Sequence, residues 1–412
     1  MIVMLLPPNS TKLFLLAAIL CLTGWELTSG ATSQAVTKLV IDQSTSLRQF
    51  ISKPSQNLQL SPRELLKQIP IYEIHNIASD FNQGLARVYD PEKPETVYVD
   101  KTGRIVIHSS TLSLASSAFS EGLIAVAPIG EELHKIGFLN KTGEFTISPQ
   151  YDERGNQSYG FSNGLSVASL NGKYGFINRM GIWIYPPKLD FARRFSEGLA
   201  AIMVGKKWGF INSAGQIIIQ PKFESGRSGI DGSLFEFSEG LAAVRVGDKI
   251  GYIDSIGHIV ILPQFNEGAK FSEGLAAVKI GEKRGYINAL GKVVIPPQFY
   301  LAGDFSEGLA SVTTDSSPNG KFGFINETGR VMISPEFDQV KKFSEGFAAV
   351  RIGENWGFIN SSGQIALPPL FSSVSSFSEG AAVISLDSAK LRGFITHRDF
   401  TRWLQHHNPS AN

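Results

Sequence analysis

Apolar residues come in short runs broken by turn formers, and the stretch from Leu241 shows the pattern in full. Leu241-Ala242-Ala243-Val244-Arg245-Val246 predicts a strand, Gly247-Asp248 a two-residue hairpin turn, and Lys249-Ile250-Gly251-Tyr252-Ile253 the return strand. Asp254-Ser255-Ile256-Gly257 fits a type I turn, with Asp capping it and Gly supplying positive φ at its end. Ile259-Val260-Ile261-Leu262 predicts a third strand, which Pro263 is expected to close because proline cannot donate to a ladder. The product is a three-stranded antiparallel meander. Alternation puts Ala242, Val244 and Val246 on one face and Ala243 with Arg245 on the other, so the aliphatic set is expected inside and the basic residue outside.

A meander this small cannot stand alone, and the chain repeats it. The string Phe-Ser-Glu-Gly ends at Gly122, Gly198, Gly240, Gly274, Gly308, Gly346 and Gly380, and degenerate copies at Phe81–Gly84 and Phe161–Gly164 bring the count to nine. A second anchor follows each first one, fullest as Trp208-Gly209 and Trp356-Gly357, and a proline such as Pro221 or Pro263 stands 12 residues after it. The unit is 34 residues. Departures from that spacing are all even, which keeps the inward-facing set inward and predicts lengthened hairpin arms.

Lys207-Trp208-Gly209-Phe210-Ile211-Asn212, Phe237-Ser238-Glu239-Gly240-Leu241-Ala242 and Ile295-Pro296-Pro297-Gln298-Phe299 resemble the WG-repeat (KWG) family, over most of the chain between Ala78 and Phe400. The family occurs mainly in bacterial proteins. The departures lie at the ends, where Val97 replaces the second-anchor glycine and Asp399 a turn glycine, as expected of capping units. The expected fold is all-β, a tandem array of about nine meanders over residues 79–400. An open, curved solenoid is favoured over a closed propeller-like ring, because nine units exceed the usual 4–8 blades and blades commonly have four strands. Residues 32–78, with the helix-start signal Ser61-Pro62-Arg63-Glu64, are expected to form a small helical N-terminal cap, and 401–412 a C-terminal tail.

Composition narrows the function classes. There are 38 Lys and Arg against 37 Asp and Glu in 412 residues, which argues against nucleic-acid binding through bulk basicity. Residues 1–31 predict a secretory signal peptide: Lys12, the apolar run Leu13–Trp25, then Ser29-Gly30-Ala31 as a cleavage site. That run is too short to span a bilayer as a helix, so no transmembrane span is expected in the mature chain. Whether the segment is cleaved or kept as an anchor stays open. Cys21, the single cysteine, leaves with the signal, and with it any disulfide or Cys-ligated metal.

Candidate chemistry is sparse. The seven histidines are scattered or paired in the tail and match no metal-ligand spacing, so neither cofactor nor metal is expected. The recurring Glu (Glu121 to Glu379) comes once per unit, whereas an active site needs one unique constellation; it is expected to hold a turn, bonding backbone N–H groups or the Lys that opens the second anchor. Sequons at Asn140, Asn326 and Asn360 fall in the type I turn, whose composition explains them without glycosylation. Arg245, Lys279 and Arg351 form an interrupted basic row beside alanines, the candidate partner-binding face for an acidic protein or glycan. The expected function is a secreted or periplasmic, envelope-associated, non-catalytic and monomeric interaction scaffold. The alternatives are a hydrolase with its site outside the repeat, near residues 32–78 or in Ser225–Glu236, and a purely structural envelope component.

Overall fold

The structure, a computed structural model, describes residues 71–73, 79–90, 93–114, 118–129, 135–153, 160–225, 234–317, 320–386 and 391–407. All lie in the compact unit Pro62–Asn412. The expected signal peptide and nearly all of the expected N-terminal cap fall outside them. The exception is Ile71–Glu73, which is a strand and not a helix.

Nine antiparallel sheets follow one another along the chain, each a blade. Blade 5 is typical: Leu241–Val246, Lys249–Ile253 and Ile259–Phe265 pair in succession, and the short strand Phe237–Ser238 pairs with the first of them. Seven blades have such a fourth strand; blades 1 (from Leu85) and 3 (from Leu165) have three. Proline does not end the third strand. Strand Ile259–Phe265 runs through Pro263, which is tolerated because this strand is the sheet edge, where the N–H that proline lacks leaves no neighbouring acceptor unpaired.

The second-anchor glycine and the proline are one device. Ile250 faces Phe265 and Tyr252 faces Ile261, so two residues of the middle strand answer four of the edge strand across a bulge. The bulge falls onto Gly251, where a Cβ would come within 2.6 Å of the Ile261 carbonyl oxygen and 2.9 Å of the Pro263 nitrogen. At Gly209 it would land on the Ile219 oxygen, and 2.6 Å from the Pro221 nitrogen. Only glycine fits. The insertion between Gly308 and Gly323 does not lengthen the hairpin arms: the flanking strands Leu309–Thr313 and Phe322–Asn326 are no longer than elsewhere.

The nine blades close on themselves into a propeller, which corrects the expectation of an open solenoid. In every blade an aromatic ring of the middle strand packs against the Phe-Ser-Glu-Gly phenylalanine of the next: Tyr98 on Phe119, Phe138 on Phe161, Phe176 on Phe195, Phe210 on Phe237, and onward to Phe358 on Phe377. The ninth contact, Phe394 on Phe81, joins the last blade to the first, with centroids 4.8 Å apart. Phe81, Ala86 and Val99 share a buried cluster there with Ala381 and Phe394. Blade 9 consists of Ser373–Val374, Ala381–Leu386 and Leu391–Thr396, and it takes its fourth strand from Ile71–Glu73, with Tyr72 opposite Phe394. The chain leaves that blade as the helix His397–His407. Asp399 departs from the repeat because it lies in the first turn of this helix, which Thr396 caps: the Asp399 N–H donates to Thr396 Oγ1 at 3.2 Å, and that hydroxyl donates back to the Asp399 carboxylate at 2.7 Å.

Candidate interaction surface

The Phe-Ser-Glu-Gly string is a hairpin of its own. Ser272 and Leu275 exchange both backbone bonds, and Glu273 and Gly274 between them have φ of 54° and 79°, a type I′ turn. This explains the glycine, and it puts glutamate in a conformation that L-residues adopt at some cost. What holds it there lies in the next blade. Glu273 accepts from the N–H of Glu307 at 2.7 Å and of Gly308 at 2.9 Å, and Glu197 does the same to Glu239 and Gly240 at 2.7 and 2.9 Å. Across the closure, Glu379 accepts from the N–H of Gln83 and, at 2.7 Å, of Gly84. Each turn serine adds a bond in the same direction, as Ser238 Oγ does to the Phe271 carbonyl at 2.8 Å. Backbone N–H groups are thus the partner of this Glu, but those of the following blade.

The second-anchor lysine pairs elsewhere. Lys173 Nζ donates to Asp190 at 2.6 Å and Lys207 Nζ to Glu224 at 3.0 Å; Lys135 and Lys321 reach Asp152 and Asp338 in the same way. Lys173 first, and the Gly205 N–H after it, hold the Asp190 carboxyl below its usual range. The sequon asparagines are occupied within their turns, Asn140 Oδ1 accepting from the N–H of Thr142 and Glu144 at 2.9 and 3.0 Å. Trp208 is buried: its indole stacks on Phe235 at 4.9 Å and its Nε1 donates to Ser225 Oγ at 2.9 Å. Trp356 is half-buried, with Lys341 Nζ 5.8 Å from its ring centre.

The basic row is set differently from the simple alternation. Both faces of the first long strand are covered by neighbouring blades, so Ala243 and Ala349 are 0% exposed and Ala277 6%, while Val246, expected inside, is 41% exposed and its counterparts Ile280 and Ile352 are 38%. Arg245, Lys279 and Arg351 are half-buried. Lys279 lies between Glu267 at 3.4 Å and Glu282 at 3.6 Å, and Arg351 is close enough to help lower the pKa of Asp338. Arg245 borders a shallow depression with Lys222, Glu224, Gly247 and Ile259. Lys222 and Glu224 escaped the sequence reading because they belong to the preceding blade, and only the packing of the two sheets brings them to Arg245.

A second charged set precedes the turn phenylalanines: Glu236, Lys270, Asp304 and Lys342 in blades 5 to 8. Lys270 Nζ stands 3.3 Å from Glu236. Asp304 is exposed at the surface, yet protein crowded about its carboxyl raises its pKa by desolvation, against the pull of Lys270 and Lys342 and with a push from Glu236; solvent screening keeps the effect on stability small. Among the described residues no three His, Cys, Asp or Glu side chains are placed to hold a metal ion, and no helix is long and apolar enough to cross a membrane.

The family described as WG containing repeat matches seven consecutive segments between residues 136 and 388, more than half of the chain. No curated protein matches it. Among solved structures, Hsv2 of Kluyveromyces lactis is similar at 11% identity and a TM-score of 0.36, over 54% of this chain and 86% of that one. Apo AztD from Citrobacter koseri is similar at 12% identity and a TM-score of 0.37, over 64% of this chain and 86% of its own.

Proposed function

Because this chain belongs to the family of WG containing repeats, we propose that it is a non-catalytic interaction scaffold, secreted or held in the cell envelope, that binds an acidic protein or glycan along the row of Arg245, Lys279 and Arg351. The observation that carries the reading is the fate of the repeated charges. The Glu of each turn is bonded to the next blade's backbone, and four of the second-anchor lysines to carboxylates 17 residues on, so they hold the ring together and are withdrawn from chemistry. The row lies one residue from the end of the first long strand in blades 5, 6 and 8, where the chain returns to solvent; Lys279 within it pairs with Glu267 and Glu282 at the surface, and at Arg245 the row borders a depression.

Arg245→Gln, Lys279→Gln and Arg351→Gln together remove three charges and keep the packed stems. The melting temperature is expected to stay nearly unchanged, since partly exposed charges contribute little to stability. Recovery of partners from envelope extract is expected to fall, and its salt dependence to flatten. Partners recovered in equal amount with equal salt dependence would end this reading of the row. Secretion rests on residues 1–31 and is checked by N-terminal sequencing of the exported chain, which is expected to start at Thr32.

A further inference from the structure

Each type I′ turn aims the N–H of its glycine at the blade before it, joined in three turns by the N–H of the residue ahead of that glycine (Gln83, Glu239 and Glu307), which makes a small anion-binding concavity. In eight of the nine joints a side-chain oxygen from that blade fills it: Gln83 at Gly122, Glu121 at Gly164, Glu197 at Gly240, Glu239 at Gly274, Glu273 at Gly308, Glu307 at Gly346, Glu345 at Gly380 and Glu379 at Gly84. Seven of these oxygens belong to carboxylates and one to a carboxamide.

The joint between blades 3 and 4 breaks the series. Its donor position holds Asn163, with φ of 54° against 51° for Gln83 and 49° for Glu121, so the backbone pose is the same. The side chain is one methylene shorter, which leaves its oxygen about 1.5 Å short of the seat. Among the described residues, the backbone N–H groups of Glu197 and Gly198 have no acceptor. At the three preceding joints a long cation from the next type I turn also closes over the donor blade: Lys101 donates to the Glu379 carbonyl, Lys141 to the Gln83 carbonyl at 2.9 Å, and Arg179 lies beside Gly122. In blade 4 that position is Ser213.

We propose that the blade 3–blade 4 joint is a binding seat for an outside alkyl carboxylate, held by the N–H groups of Glu197 and Gly198. The ligand chemistry is read from the protein itself, because seven equivalent seats are filled by the carboxylate of a glutamate. Charge-assisted bonds of this kind are about twice as strong as neutral ones. The seat uses none of the residues of the basic row and stands or falls without it.

The test is an amide NMR titration of the full chain with propionate and, separately, with a capped Gly-Glu-Gly peptide. Saturable downfield shifts are expected at Glu197 and Gly198, with Gly164, Gly240 and Gly274 unmoved. A tighter response to the peptide assigns the seat to an acidic partner, and a tighter response to propionate assigns it to a small acid. Asn163→Glu should fill the seat from within, abolishing the response and raising the melting temperature. Glu239→Asn should open a second seat, so that Gly274 begins to respond. Silence at Glu197 and Gly198 in the wild type, a response that survives Asn163→Glu, or a Gly274 that stays silent in Glu239→Asn would each overturn the proposal.

Discussion

Asp304 shows how a single side chain can work against a fold that tolerates it. Its folded pKa lies above the usual carboxylate value because crowding disfavours the charge, and Lys270 and Lys342 offset only part of that. The folded state therefore binds a proton more readily than the unfolded state, and stability falls as pH rises from the ordinary carboxylate pKa through the raised one. Asp304→Asn is expected to melt slightly above the wild type at neutral pH. The advantage should vanish below about pH 4, where both states of the wild type are protonated; thermal melts across that range check it. The Glu of each turn presents the opposite case. Its place in a turn and its appetite for backbone N–H groups were legible from its recurrence, but its partner was not. The partner lies 34 to 43 residues on, and periodicity gives the length of a unit without saying which neighbour it touches.

At the scale of the element, two kinds of glycine carry the blade, and they should respond differently to the same change. Gly240 needs only its positive φ of 79°, with open space around it. Gly240→Ala is expected to cost about 1–2 kcal/mol, the price of a left-handed alanine. Gly209 lies under the Pro221 bulge, and a methyl there strikes backbone that cannot move without breaking the edge pairing. Gly209→Ala is expected to cost more than about 3 kcal/mol, measured by denaturant unfolding of both variants. The constant 12-residue spacing from glycine to proline was visible in the sequence, but proline's inability to donate suggested a strand end. It proved to be an edge strand folded over its neighbour, because what a proline does to a strand depends on which side lacks a partner. The alternation expected around the basic row failed on the same ground: a period of two separates faces, and here both faces are covered.

Over the whole molecule, the count of nine repeats was right and their closure was misjudged. Closure rests on contacts such as Phe81 with Phe394 and Gln83 with Glu379, between residues about 300 apart, and on the borrowed strand Ile71–Glu73, which lies outside the repeat register altogether. Nothing local encodes them. In a closed ring the joint across the ends is equivalent to any other, so Phe81→Ala and Phe271→Ala should destabilise by similar amounts, about 3–5 kcal/mol each. An open array would leave Phe81 on an end face and its loss almost silent in calorimetry. Every turn carboxylate in the series also reaches forward to the following blade and never back. The circuit is therefore head-to-tail, the arrangement of a heterologous cyclic oligomer whose nine protomers happen to be strung on one chain. Such a circuit has a sense of rotation, and apart from the bare joint between blades 3 and 4 and the strand that completes blade 9 its joints repeat one contact, so a circular permutant cut at another joint would rebuild the same contacts in the same order. The order of translation decides where the polypeptide enters the ring; the ring itself has no first blade.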